Sequence, residues 1–108
     1  MAEQFDYSLP IIFRIPLGEN AWVQGSIDKR DGRVEAQSFI HARKKGNEGM
    51  QAVEAEIKLQ AKKLKRPITH KVYATNKGSR ALLQRISGYT YIGIEDGEDV
   101  YEKTFTPY

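Results

Sequence analysis

The sequence predicts an α+β domain, a mixed and mostly antiparallel sheet carrying two helices. Residues 10–42 alternate β-branched and polar positions around an Asp-Gly turn, which is the pattern of half-buried strands. Residues 49–65 instead space their apolar side chains three and four apart, as a helix does. A second Asp-Gly pair separates two β-rich runs near the C-terminus.

Each element has a local reason. Pro10-Ile11-Ile12-Phe13-Arg14-Ile15-Pro16 is β-rich and bounded by prolines, which suits an edge strand because proline cannot donate to a ladder. Ala21 to Ile27 and Arg33 to Ala42 predict two further strands, joined through Asp28-Lys29-Arg30-Asp31-Gly32. The helix from Gly49 to Lys65 gathers Met50, Val53, Ile57, Ala61 and Leu64 on one face, with Glu54 and Lys58 spaced for an ion pair on another. Arg66-Pro67 stops it. Ile68 to Thr75 predicts a strand in which Val72 and Ala74 point inward while His70, Lys71 and Tyr73 face solvent. Ala81, Leu82, Leu83 and Ile86 predict a short second helix, with Ser79 near its start and Gly88 as its C-terminal cap. Tyr89 to Ile94 and Val100 to Phe105 then form a hairpin around Asp96-Gly97.

With 108 residues, 40% of them apolar, the chain is expected to be a single domain spanning residues 1–108 with its own core. No repeat, low-complexity tract or linker divides it. The absence of cysteine excludes disulfides and thiolate metal sites, and two histidines alone argue against any metal. No apolar run approaches the ~20 residues of a membrane-spanning helix. Met1-Ala2-Glu3-Gln4 also lacks the basic-then-apolar start of a signal peptide. The expectation is a soluble protein of the cytoplasm of the producing cell, with no membrane partner.

Seventeen basic residues against 14 acidic ones give a net charge of +3, and the distribution says more than the sum. Cations concentrate in Arg43, Lys44 and Lys45 and along Lys58, Lys62, Lys63, Lys65 and Arg66, whereas Glu95, Asp96, Glu98, Asp99 and Glu102 make the C-terminal hairpin acidic. Such an asymmetry can steer a polyanion. A solvated helix face beside an acidic turn is the preferred account, so other proteins are the expected partners, ahead of nucleic acid.

The loop Arg43-Lys44-Lys45-Gly46-Asn47-Glu48-Gly49 offers three cations and flexible backbone directly before the helix, so its amides can converge with the helix dipole on a phosphate. Glu35 and His41 share one side of the Arg33 to Ala42 strand and are the candidate bases for an acceptor amine. The plainer account is a solvent-facing Glu35 and a histidine at a loop end, with His70 on the surface. Trp22 and the six tyrosines offer ring faces for stacking bases, but their positions in strands favour packing. Asp28 with Glu35-Ala36-Gln37 faintly resembles the PD-(D/E)xK nuclease arrangement, although Gln37 stands where that pattern has lysine and the turn already explains Asp28.

Strands, helix, strand, helix and hairpin are the order of the second half of the GNAT acetyltransferase fold. Arg43-Lys44-Lys45-Gly46-Asn47-Glu48 resembles that family's Q/R-x-x-G-x-G/A loop, with Glu48 in place of the final small residue. Asn76-Lys77-Gly78-Ser79-Arg80-Ala81 through Gly88-Tyr89 is similar to its N-x-x-(A/S)…G-(F/Y) segment. The resemblance covers about half the chain and implies a GNAT-like core without the usual N-terminal helices. It further implies acetyl-CoA as cofactor, bound by Arg43, Lys44, Gly46, Asn47, Gly49 and Asn76, with Asn76 facing the loop across a gap in the sheet. The tyrosine that protonates the departing thiolate in many such enzymes falls at Leu83 or Gln84, and neither is an acid. The expectation is therefore a degenerate, non-catalytic domain similar to small acyltransferase-like proteins of tailed phages, serving as an interaction or particle component. The alternative is an acetyl-CoA-dependent N-acetyltransferase.

Overall fold

The computed structural model describes residues 9–41, 46–74, 83 and 88–108. Three antiparallel strands come first: β1 (Ile11–Gly18), β2 (Ala21–Arg30) and β3 (Arg33–His41). Helix α1 (Gly46–Leu64) crosses over to β4 (Ile68–Ala74), which lies parallel to β3. The hairpin of β5 (Thr90–Glu95) and β6 (Glu98–Phe105) completes a six-stranded sheet ordered β1-β2-β3-β4-β6-β5, with β6 antiparallel to β4.

The class expected from sequence, α+β with two helices, is corrected by this arrangement. The described residues form a mixed sheet with one helix and are 57% strand, which makes the domain mostly β. The reason lies in the turns. Asp31-Gly32 and Asp96-Gly97 both take left-handed backbone angles (φ 52 and 80 in each pair), as tight hairpin turns require. The ladders therefore run right up to the turns, and β2 extends past Ile27 to Arg30. The second helix was expected over residues of which 75–82 and 84–87 lie outside those described. Within that stretch Leu83 is buried beside Met50, Ala74 and Tyr101.

Helix α1 starts three residues earlier than its apolar spacing suggests. Glu48 sits in its first turn and Lys62 and Lys63 in its last, both signs favourable to the helix dipole. Lys65, at φ 55, then turns the chain, and the Arg66 amide bonds back to the Ala61 carbonyl at 3.3 Å. That is a Schellman cap, with Pro67 beyond it preventing continuation. Met50, Val53, Ile57 and Ala61 are buried as expected. Glu54 pairs with Lys103 on β6 at 3.3 Å rather than with Lys58.

One face of the sheet receives the helix. Phe13, Val23, Ile27, Val34, Ala36, Ile68 and Phe105 meet Val53, Ile57 and Ala61 there in a single cluster. Gly49 lets the first turns of α1 approach closely, since a Cβ there would stand 2.7 Å from Ile40 Cγ2 and 3.2 Å from Val23 Cγ1. Overpacking of this kind typically costs about 1–3 kcal/mol. Gly49→Val should accordingly lower the unfolding free energy by about that amount, measured in urea with an unchanged m-value.

Candidate functional site

The parallel junction of β3 and β4 has two rungs, Glu35 opposite Thr69 and Ala36 opposite His70. Beyond them β3 continues to His41 and β4 to Ala74 without a further pair between them. Alternation along β3 and β4 brings Ser38 and His70 to the helix side of this divergence, because Ser38 shares the parity of Val34, Ala36 and Ile40, and His70 that of Ile68 and Ala74.

His70 is completely buried, contrary to the surface position expected for it. Its Nε2 lies 2.8 Å from Ser38 Oγ and its Nδ1 2.7 Å from Tyr89 Oη, while the Tyr89 hydroxyl donates to Met50 Sδ at 3.7 Å. One proton assignment satisfies the whole chain: Ser38 donates to Nε2, Nδ1–H donates to Tyr89, and Tyr89 donates onward. The imidazole is then neutral. Burial pushes its pKa down to about 4, helped by the nearby charge of Lys103. Tyr89 is pushed up, first by burial and then by the Glu54 carboxylate. The parity shared with Ile68, Val72 and Ala74 was the sequence signal for an inward His70, and nothing local identified Ser38 or Tyr89 as its partners.

On the opposite, open face the odd residues of β3 line up from Arg33 to His41. Glu35 is 4% exposed rather than solvent-facing. Its carboxylate accepts from Arg33 Nη2 at 3.0 Å and Gln37 Nε2 at 3.1 Å, with Arg30 Nε at 3.9 Å. Burial works to raise this carboxyl, but the hydrogen bonds from Arg33 and Gln37 and the charge of Lys71 outweigh it and hold it below the usual carboxylate range. Arg33 forks onto both oxygens of Glu102, with Nη1 to Oε1 at 3.1 Å. Lys71 pairs with Glu95 at 2.9 Å, and Thr69 with Thr104 at 2.9 Å. His41 stands six positions from Glu35, roughly 20 Å along the strand, and stacks on Trp22 at 4.0 Å. The structure therefore does not bring the two candidate bases together.

Of the six residues expected to hold acetyl-CoA, Arg43, Lys44 and Asn76 lie outside the described residues. Gly46, Asn47 and Gly49 are in the first turns of α1. They fit a diphosphate poorly: Glu48 places a carboxylate among them, and Gly49 is buried against Ile40 and Val23. Asp28, a β2 residue paired with Glu35, accepts from the neighbouring Lys29 amide at 2.8 Å, and no cluster of metal-ligating side chains occurs among the described residues. Nor is any helix among them long and apolar enough to cross a membrane.

No protein-family model matches this chain, and neither a curated protein nor a solved structure does.

The buried imidazole fixes a pH dependence. Its folded pKa lies below the unfolded value of 6.5, so its contribution to stability is fully present above pH 6.5 and is lost as pH falls toward 4. The unfolding free energy should drop by about 2 kcal/mol from this group between pH 7 and pH 5. Urea titrations across that range check it, and His70→Gln should flatten the slope.

Proposed function

We propose that this chain is a GNAT-like domain without effective transfer chemistry, an interaction or particle component of a tailed phage made in the cytoplasm and carried into the virion. Three antiparallel strands, a crossover helix, a parallel strand and a closing hairpin support the kinship, since they follow the implied order in every element but the second helix, which the described residues do not contain. The observation that carries the functional half is the state of Glu35. A carboxylate held ionised, buried and already accepting from Arg33 and Gln37 has little capacity to take a proton from an acceptor amine. Leu83, one of the two positions where the family's acid would fall, is packed against Met50 and Tyr101.

A second reading, acetyl-CoA-dependent N-acetyltransferase, is favoured by the divergence of β3 and β4 after two rungs, beyond which the two strands no longer pair with each other. Calorimetric titration with acetyl-CoA separates the two. The binding-domain reading expects no heat at millimolar ligand. Micromolar binding that weakens in Gly46→Leu, together with turnover of an amine, would replace it with the enzyme. A protein that stays monomeric and never associates with particles would remove the interaction role.

A further inference from the structure

The open face of the sheet has two unlike halves. Over β4, β6 and the N-terminal part of β3 it is closed by paired charges: Arg33 with Glu35 and Glu102, and Lys71 with Glu95. Over β1, β2 and the C-terminal part of β3 the register builds three rows instead. Pro16, Trp22 and His41 form one, Arg14, Gln24 and Phe39 the next, and Ile12, Ser26 and Gln37 the third. Two residues along a strand separate neighbouring rows, about 7 Å.

These rows contain no carboxylate. Their cation, Arg14, lies 4.2 Å over the Trp22 ring, which also carries the stacked His41. Phe39 is 59% exposed and Ile12 74% exposed, flanking a hollow of about 500 Å³ bordered by Arg14, Gln24, Ser26 and Gln37. Exposed aromatic faces, the Gln24 amide with the Gln37 side-chain carbonyl oxygen beside it (Gln37 Nε2 being held by Glu35), and a guanidinium with no carboxylate partner among the described residues are complementary to an anionic chain of planar, hydrogen-bonding rings. An acidic peptide would satisfy Arg14, but its carboxylates offer no planar face to the exposed Phe39 ring, which a base supplies together with the backbone charge.

We propose that the open face of β1, β2 and β3 binds single-stranded nucleic acid, with a base in the hollow against Phe39, the amides of Gln24 and Gln37 at base edges, and Arg14 on the phosphate backbone. This goes beyond the reading of the domain as a non-catalytic interaction component and does not rest on it. Sequence-tolerant single-strand sites combine base stacking with phosphate contacts, and the backbone contact makes the affinity fall with salt.

Trp22 is the single tryptophan of the chain and lies within these rows, so its emission reports occupancy directly. Fluorescein-labelled DNA and RNA strands of about 12 nucleotides, a length within the usual range of single-strand sites, serve as probes beside the matching DNA duplex. Polarisation and Trp22 emission are read up to about 100 µM protein, the weak end of non-specific affinities. The expected result is binding of one or both single strands with a change in Trp22 emission and weaker binding of the duplex. The two sugars distinguish a DNA from an RNA ligand. Phe39→Ala should weaken binding about tenfold, the loss of one stacked base, and Arg14→Gln should reduce the salt slope by about 0.7, one phosphate contact. Both side chains are exposed, so both variants should fold, which circular dichroism verifies. Ile94→Ala, on β5, should change nothing. Absence of binding to either single strand overturns the proposal, as does binding indifferent to Phe39→Ala and Arg14→Gln but lost in Lys62→Gln on the helix. Concentration-dependent dimerisation abolished by Phe39→Ala, without nucleic-acid binding, would assign the face to a second copy of the chain instead.

Discussion

The two-rung parallel contact between β3 and β4 is the constraint on which the rest of the structure depends. It joins a three-stranded antiparallel unit to a unit of β4, β6 and β5. So short a ladder supplies few backbone hydrogen bonds, each worth only about 1 kcal/mol net. The union is secured by what lies above and below it. On one side Val53, Ile57 and Ala61 of α1 bury their side chains over Val34, Ala36 and Ile68, and full burial of a Val- or Ile-sized side chain contributes roughly 1.5–3 kcal/mol. On the other, the guanidinium of Arg33 reaches across β4 to Glu102 of β6 while holding Glu35 on its own strand. The helix supplies the larger stabilisation, and the ion network fixes the register.

Burial of polar groups at this junction follows from the same geometry. Where β3 and β4 part, backbone no longer fills the space, and the Ser38, His70 and Tyr89 side chains occupy it with mutual hydrogen bonds. No buried side-chain nitrogen or oxygen among the described residues lacks a partner. A satisfied polar chain of this kind is stiff and specific, whereas the same groups half-satisfied would cost more than an apolar core. Two devices for carrying polar atoms inside thus flank the same pair of rungs: a neutral hydrogen-bonded chain toward the helix, and a compensated ion cluster toward the open face.

Much of the fold was legible because its signals are local. Asp31-Gly32 and Asp96-Gly97 announce hairpins through the backbone angles they tolerate, and the spacing of Met50, Val53, Ile57 and Ala61 announces the buried helix face. Signals that depend on a partner element were less readable. Gly46 to Gly49 has the composition of a loop, yet Gly49 is there because Ile40 and Val23 come within contact distance, which no local pattern reveals. Glu35 looked exposed because a carboxylate on a strand face ordinarily is, and its burial requires Arg33 and Gln37 as neighbours on the same side. His70 is readable by parity, since Ile68, Val72 and Ala74 share its side, although the polarity of an imidazole points the other way.

The exposed half of the sheet depends on an arrangement on its hidden side. Gly25, in the middle of β2, lies opposite Phe13 of β1, and a Cβ there would stand 2.5 Å from Phe13 Cζ and 2.6 Å from the Gln37 carbonyl oxygen. The Phe13 ring therefore folds across bare backbone into the main core, and this holds β1 from within. An edge strand secured in that way does not need apolar cover on its outer side, so Ile12 and Arg14, its neighbours in sequence, can point into solvent without loosening the strand. The ladder to β2 supplies the rest, running from Ile11 to Gly18 with one irregularity near its end. Rigidity beneath and exposure above are what a recognition surface needs, because side chains ordered before contact lose less freedom on binding than mobile ones do.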